Sequence, residues 1–523
     1  IFFRLSMSAP ITTEHKRRLE AQGVGAPKKF PVLAITHDSL KPEGAFAEAQ
    51  AVYLNPVQEL VKELDALLTE KKIGICAHFY MGPELQGVLS SCKWPHIFVA
   101  DSLAMADAAI EMAKAGVEAV VVLGVDFMSE NVRAQMDFLG CEHVPVYRVR
   151  TEEIGCSLAE SADQPAYGKY LLQAANQANS LHVVYINTGL LTKAKAHAVV
   201  PTITCTSSNV VKLVLQAYSQ IPDLHVWFGP DTYMGGNLVA MFTALSTMDD
   251  AVIKQVHPAH DQSSMKKVLE TFHAFQEGTC IVHHMFGEGV AKKIRKEYPD
   301  AYVTAHLEVP GEMFAVALEA QHAGRGVVGA TSNILSFITE KAQQMIAAGK
   351  PATAQFILGT EAGMITPIVR KVQAMLAENH AKGGPEVQID IVFPVASEAI
   401  AESEDADLKI VPGVAAGEGC SAGGGCATCP YMKMNSLEAL VKLCRDIGTK
   451  EPEELAKLQP RKYTELVRGR AAAEVGGESI MHMRHYFREK ELSEELIKDV
   501  QTRHTTSKPP ASLPWVRNEG LDW

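Results

Sequence analysis

No apolar run in these 523 residues reaches the about 20 that a membrane-spanning helix needs, which excludes an integral helical membrane protein. The first 30 residues also lack the apolar core of a secretory signal, so the expectation is a soluble intracellular protein. Basic charge is in deficit, with 49 Lys and Arg against 61 Asp and Glu and a net charge of −12. That excludes a nucleic-acid partner, which needs a basic footprint, and leaves an anionic ligand to be held by helix N-termini, hydroxyls and amides. Cysteine is sparse at ten residues without secretory context, so a disulfide framework is excluded as well. The 47% of hydrophobic residues is ordinary for a folded chain, and the length predicts several domains.

What the chain does contain is a pattern that occurs three times. An apolar strand ends in Gly, and an acid follows two residues later with a Met close behind: VVVLGVDFMSENV, HVWFGPDTYMGGNLV and QFILGTEAGMITPIV. Before each copy stands a strand ending in His or Asn, then a hydroxyl-bearing helix start: GICAHFY with ADSLAMADAA, HVVYINT with CTSSNVVKLV, and AYVTAHLEVP with GATSNILSFI. Two motifs in the same order three times predict a triplicated α/β protein built from parallel βαβ units. In such units ligands bind at the carboxyl ends of the strands, where His78, Tyr80, Asn187, His306, Glu308, Gly124, Gly229 and Gly359 fall.

The cysteines follow the same register. Cys156 comes after the first Gly motif, Cys280 after the second, and Cys420, Cys426 and Cys429 after the third. Three thiols converging from three domains suit a metal group. One reading is a zinc site built from the 420–429 cluster with His283 or His284; another is a [4Fe–4S] cluster held by three cysteines, which leaves one iron open. Cys76, Cys92, Cys141, Cys205 and Cys444 lie in or beside apolar stretches and are expected as buried core thiols.

The stretches AHFYMGPELQ, ADSLAMA, LGVDFMSE, VVYINT, CTSSNVVKLV, FGPDTYMG, CIVHHMF, EYPDAYVTAHLEVP, GATSN, LGTEAGM and CPYMKMNSLEAL resemble, in order, the quinolinate synthase family of NAD biosynthesis. The resemblance implies three pseudo-symmetric αβα domains arranged as a triangle around a central [4Fe–4S] cluster. It implies condensation of iminoaspartate with dihydroxyacetone phosphate to quinolinate, phosphate and water, with the open iron as Lewis acid. It places the cluster ligands on Cys156, Cys280 and Cys429, the last because it abuts the family's CPxMxMN stretch. Cys420 and Cys426 are then bystanders, or Cys426 pairs with Cys429 as a redox couple.

The same resemblance makes Glu308 the catalytic carboxylate, with His306, His78 and Tyr80 helping to bind substrate and move protons. Tyr185 and Asn187 supply neutral donors, and Ser102, Ser207 and Thr331 supply hydroxyls at helix starts that either cap the helix or hold a phosphate or carboxylate. On a strand His306 and Glu308 would share one face. L-aspartate oxidase is the functional partner implied, and a homodimer is expected. A non-catalytic redox-sensing protein is the rival from another class.

Two departures stand out. His306-Leu307-Glu308-Val309 lacks the proline the family often carries between the His and the Glu, and Ala330 stands where a serine is common. The segments 240–275 and 370–412 are expected as surface insertions, and AESEDAD at 401–407 as a solvated loop. The expected division is an N-terminal extension to residue 50, repeats at 51–165, 166–290 and 291–445, and a C-terminal extension of irregular chain or subunit contact at 446–523. The glycine-rich GEGCSAGGGCATCPYMKMN resembles plant and algal as well as some bacterial members, so the compartment is cytoplasm or, with a transit peptide upstream, plastid.

Overall fold

The computed structural model describes residues 29–394 and 429–506, together with the strands Ile410–Gly413 and Gly417–Ser421. Its frame is three parallel sheets with one topology. The first orders Ile97–Ala100, Ile73–His78, Ala119–Leu123 and Val146–Tyr147 side by side. The second orders Thr202–Cys205, Ser180–Tyr185, His225–Gly229 and Phe272–Ala274. The third orders Gly326–Gly329, Tyr302–His306, Ala352–Gly359 and Val387–Val392. In each, the second strand flanks the first on one side while the third and fourth lie on the other. The triplicated α/β expectation holds in this form.

Runs such as AVVVL and SLHVVY form these strands because every residue in them is buried, as a parallel sheet covered by helices on both faces requires. The covering helices carry their own start signals. Ser102–Lys114 is capped by Asp101, whose carboxylate accepts from Leu103 N at 3.1 Å and Ala104 N at 3.0 Å.

Several expectations are corrected. Residues 240–275 are no insertion, for they hold the end of the helix Thr232–Leu245, two further helices and the fourth strand of the second sheet. Likewise 370–392 is the helix Ile365–Ala381 and the fourth strand of the third sheet. The AESEDAD run and Cys426 lie outside the described residues, as does the side chain of Cys420. Cys76, Cys141, Cys205 and Cys444 are buried core thiols, while Cys92 is only half-buried.

The described segments that flank the three sheets are also more regular than their sequences suggest. Val32–Ile35 extends the third sheet antiparallel to Val387–Val392, and Leu40–Glu43 pairs antiparallel with Val32–Ile35 at the edge. Residues 432–455 share the apolar core of the first sheet through Leu440, Leu443 and Cys444. Helices Ala472–Glu489 and Glu494–Thr506 close over the second, so the C-terminal part up to residue 506 ends in two regular helices where an irregular arm was expected. Gly476 makes this closure possible, because a Cβ there would sit 2.3 Å from the carbonyl of Leu190. Among the described residues no helix is long and apolar enough to cross a membrane.

Candidate functional site

The carboxyl ends of all three sheets open onto one cavity. It is lined by His78, Tyr80 and Ser102 from the first sheet, Tyr185, Asn187 and Ser207 from the second, and His306, Glu308 and Thr331 from the third. Cys156, Cys280 and Cys429 line it too, while Gly124, Gly229, Gly359, His283 and His284 do not. The lining also includes Asp101 and Glu361.

Two of the three repeats share even a single hydrogen bond. Tyr80 N donates to His78 Nδ1 at 3.2 Å, and Glu308 N donates to His306 Nδ1 at 3.3 Å. Each imidazole therefore accepts at Nδ1, which leaves the proton on Nε2 in the neutral ring. His306 Nε2 lies 3.2 Å from Ser207 Oγ. Burial lowers both histidines, His78 to about 3 and His306 to about 4, so both rings are neutral near pH 7. Glu308 lies two residues past the strand's end, in a turn, so it reaches the cavity by that turn and not by strand alternation.

Glu308 is 3% exposed and heavily partnered. Tyr185 donates its hydroxyl to one carboxylate oxygen, and His283 Nδ1 lies 3.2 Å from the other. Burial opposes its charge, but His283, His306 and the hydroxyl together bring the carboxyl down to about 2. Two other buried acids go the opposite way. Burial, then the charge of Glu308, pushes Asp231 and Glu361 well above the usual carboxylate range. An ionised carboxylate thus sits among carboxylic acids that hold their protons, the separation of roles that acid–base chemistry uses.

The acid of each Gly motif, or the residue beside it, also fixes the loop that leads to a cavity cysteine. Asp126 N donates to Ile154 O at 2.9 Å, and Ile154 N donates back to Asp126 Oδ2 at 3.1 Å. Thr232 and Gly278 repeat this exchange, Thr232 N to Gly278 O at 2.7 Å and Gly278 N to Thr232 Oγ1 at 2.9 Å. Residues 154 and 278 each stand two before a cavity cysteine. In the third repeat the Cys429 N–H itself donates to Glu361. Gly278 has no room for a side chain, since a Cβ would lie 2.2 Å from Pro230 O.

Amides then tie each repeat to the next. Asn131, on the helix after the first repeat's third strand, donates to Ile186 O at 3.4 Å beside Asn187. Asn237, at the matching place in the second repeat, donates to Leu307 O at 2.9 Å and Val309 O at 2.8 Å, on both sides of Glu308. Gln86 closes the circle by donating to Phe79 O, Met81 O and Gly363 O at 2.7, 2.9 and 2.8 Å. Asn237→Ala strips two buried carbonyls of their donor. A stability loss of about 1–3 kcal/mol is expected in urea unfolding, with reduced turnover.

The hydroxyls are not spent on capping. Asp101 caps the helix that Ser102 begins, and the side chains of Asn209 and Asn333 accept from Thr206 N and Ala330 N at the other two starts, both at 2.9 Å. Ser102, Ser207 and Thr331 are thereby left to face the cavity. Ala330 is itself buried, so a serine hydroxyl is absent there without leaving a gap open to solvent.

The cysteine set fits a cationic group. Burial pushes the Cys156 thiol up to about 12 and those of Cys280 and Cys429 well above the ordinary range. A charge on Cys156 would raise the other two further. Three mutually repelling thiolates in a buried cavity become stable only around positive charge. Separately, Cys280, His283 and Glu308 each offer a ligand atom within 4.8 Å of the others.

The profile of the quinolinate synthetase A protein family (NadA) matches residues 62–383. The chain belongs to the quinolinate synthetase A family. Two curated family members named as chloroplastic quinolinate synthases are similar at about half identity. One from Nicotiana tabacum is 51% identical over 94% of this chain and 70% of its own length. One from Arabidopsis thaliana is 49% identical over 92% of this chain and 69% of its own length. A quinolinate synthase from the archaeon Saccharolobus solfataricus is 26% identical over 78% of this chain and 97% of its own length. Quinolinate synthetase A similarity thus reaches beyond the three sheets into the segments that complete them.

Sequence reasoning missed several residues that shape this site. Glu361 and Asp126 were visible as the acid of the repeated Gly motif, and Asn131 and Asn237 as the asparagines of MSEN and GGN in two copies of it. Lys193 left no such signal. It is fully buried, lowered to about 7 by desolvation, and donates to Ile186 O at 3.1 Å and Thr188 O at 2.6 Å, holding the turn that carries Asn187.

Proposed function

We propose that this chain is an enzyme of NAD biosynthesis that condenses iminoaspartate with dihydroxyacetone phosphate to quinolinate, phosphate and water. The observation that carries this reading is one buried cavity shared by three sheets, where an ionised Glu308 meets three cysteines and neutral His78 and His306. Cys156, Cys280 and Cys429 would hold a [4Fe–4S] cluster. When bound, that cluster supplies a Lewis-acidic iron with no protein thiolate.

The chain's own groups divide the remaining work. Glu308, ionised and aimed by Tyr185 and His283, takes a proton from substrate carbon during tautomerisation and imine formation. His306 and His78, each with its proton on Nε2, donate to substrate oxygens. Ser102, Ser207 and Thr331, at the starts of their helices, hold phosphate and carboxylate where backbone N–H groups and the helix dipole favour negative charge. Asn187 supplies a neutral amide. Closure by the surrounding sheets keeps water from the imine.

A second reading is a single metal ion at Cys280, His283 and Glu308, favoured by their clustering. The chloroplastic names of the relatives at about half identity support a plastid in preference to cytoplasm. L-aspartate oxidase remains the implied source of iminoaspartate, and a homodimer the expected assembly. The test is quinolinate formation by anaerobically purified protein given dihydroxyacetone phosphate and freshly generated iminoaspartate. Product that disappears on air exposure, with about four irons per chain, supports the cluster reading. One zinc and no sulfide would favour the single ion, and no product under either condition would overturn the activity.

A further inference from the structure

The C-terminal helices enclose a second cavity, away from the sheet ends, of about 820 Å³. That is the size range of nucleotide and cofactor sites. Its lining carries Arg468, Arg470, Arg484, Arg488, Arg503 and Lys498 against three carboxylates, in a chain whose net charge is −12. A local cationic excess on an acidic protein is not an accident of composition.

Most of these cations are already engaged. Arg470 pairs with Glu474 and Glu478, Arg484 with Asp107, Arg488 with Glu489 and Arg503 with Asp499. Arg468 and Lys498 make no ion pair among the described residues. Arg468 is also crowded by like charge. Burial and then Arg503 push its guanidinium below the ordinary value, and Arg503, His482 and Arg468 add to burial in keeping His197 neutral.

The backbone under Arg468 is the independent observation. Strands Leu466–Val467 and Arg470–Ala471 form a hairpin whose two loop residues, Arg468 and Gly469, have φ of 52° and 78°. Two positive φ values in a two-residue loop favour Asn-Gly, because asparagine tolerates the left-handed region and a long side chain gains nothing there. An arginine held in that conformation beside another arginine, with the nearby Asp499 already paired to Arg503, points to a ligand.

We propose that this groove binds a phosphorylated anion of nucleotide size, its phosphates bridging Arg468, Arg503 and Lys498. Phe138, 39% exposed on the groove's wall, offers a flat apolar face to the rest of the molecule. The inference is independent of the proposed reaction, since none of these residues lines the central cavity. The groove nonetheless touches the helix Leu190–Val199 at His197, and that helix starts three residues after Asn187.

The test is calorimetric titration of the full chain with ADP and with pyrophosphate, at ionic strength held constant with KCl. Saturable binding is expected that weakens at least tenfold in Arg468→Asn and in Lys498→Ala, and is unchanged in Ser207→Ala of the central cavity. Arg468→Asn should keep or raise Tm, because asparagine suits the turn, and should leave quinolinate formation intact. Absence of binding, binding indifferent to Arg468→Asn, or loss of binding together with a fall in Tm would each overturn the proposal.

Discussion

Glu308→Gln is expected to leave a folded protein with its metal group in place and quinolinate formation slowed about 10²–10⁴-fold, the range typical of a lost general base. Glutamine keeps the size of the side chain and can still accept from Tyr185, so the turn held by Asn237 should survive. What disappears is the charge. Because that charge raises Cys280, Asp231 and Glu361, its removal should make each of them easier to ionise. Iron content and absorbance should therefore match the parent protein while turnover collapses. Parent-like turnover in Glu308→Gln would remove the carboxylate from the chemistry.

Cys156→Ser, Cys280→Ser and Cys429→Ser, made singly, are each expected to take iron from about four per chain to near zero and to abolish activity. Serine is nearly isosteric but is a poor ligand for iron, and two remaining thiols pushed up by burial have little to hold them ionised. Protein yield and Tm before reconstitution should change little, since the loops are held at residues 154, 278 and 429 by backbone hydrogen bonds that the substitutions leave alone. Cys426→Ser should retain iron. Full iron and sulfide in Cys156→Ser would break the case for three ligands drawn from three repeats.

The fold was legible because the same physical pattern occurs three times. Buried parallel strands read as continuous apolar runs, and a glycine closes three of them where a helix or an acid must come near. His78, His306 and Glu308 were legible for the same reason, as strand-end residues in matching places. The fourth strands were not. Val146–Tyr147 and Phe272–Ala274 span two and three residues, too short to show a period, and the latter follows three helices that looked like an insertion. Lys193 and Gln86 escaped because their work is to bond backbone carbonyls, which have no side-chain signature. The part played by residues 432–455 escaped because contact with the first sheet spans some 300 positions of sequence.

The amide ties have a consequence for how such a chain fails. Asn131 reaches from the first repeat to the second, Asn237 from the second to the third, and Gln86 joins the third back to the first. Every pair of repeats is thus joined, although the first repeat supplies the donor for two of the three ties and the third for none. A single repeat, made alone, would leave its ties to the others unmade and would carry no complete cavity. Three separate fragments cut between the sheets should find one another in solution before any of them becomes competent.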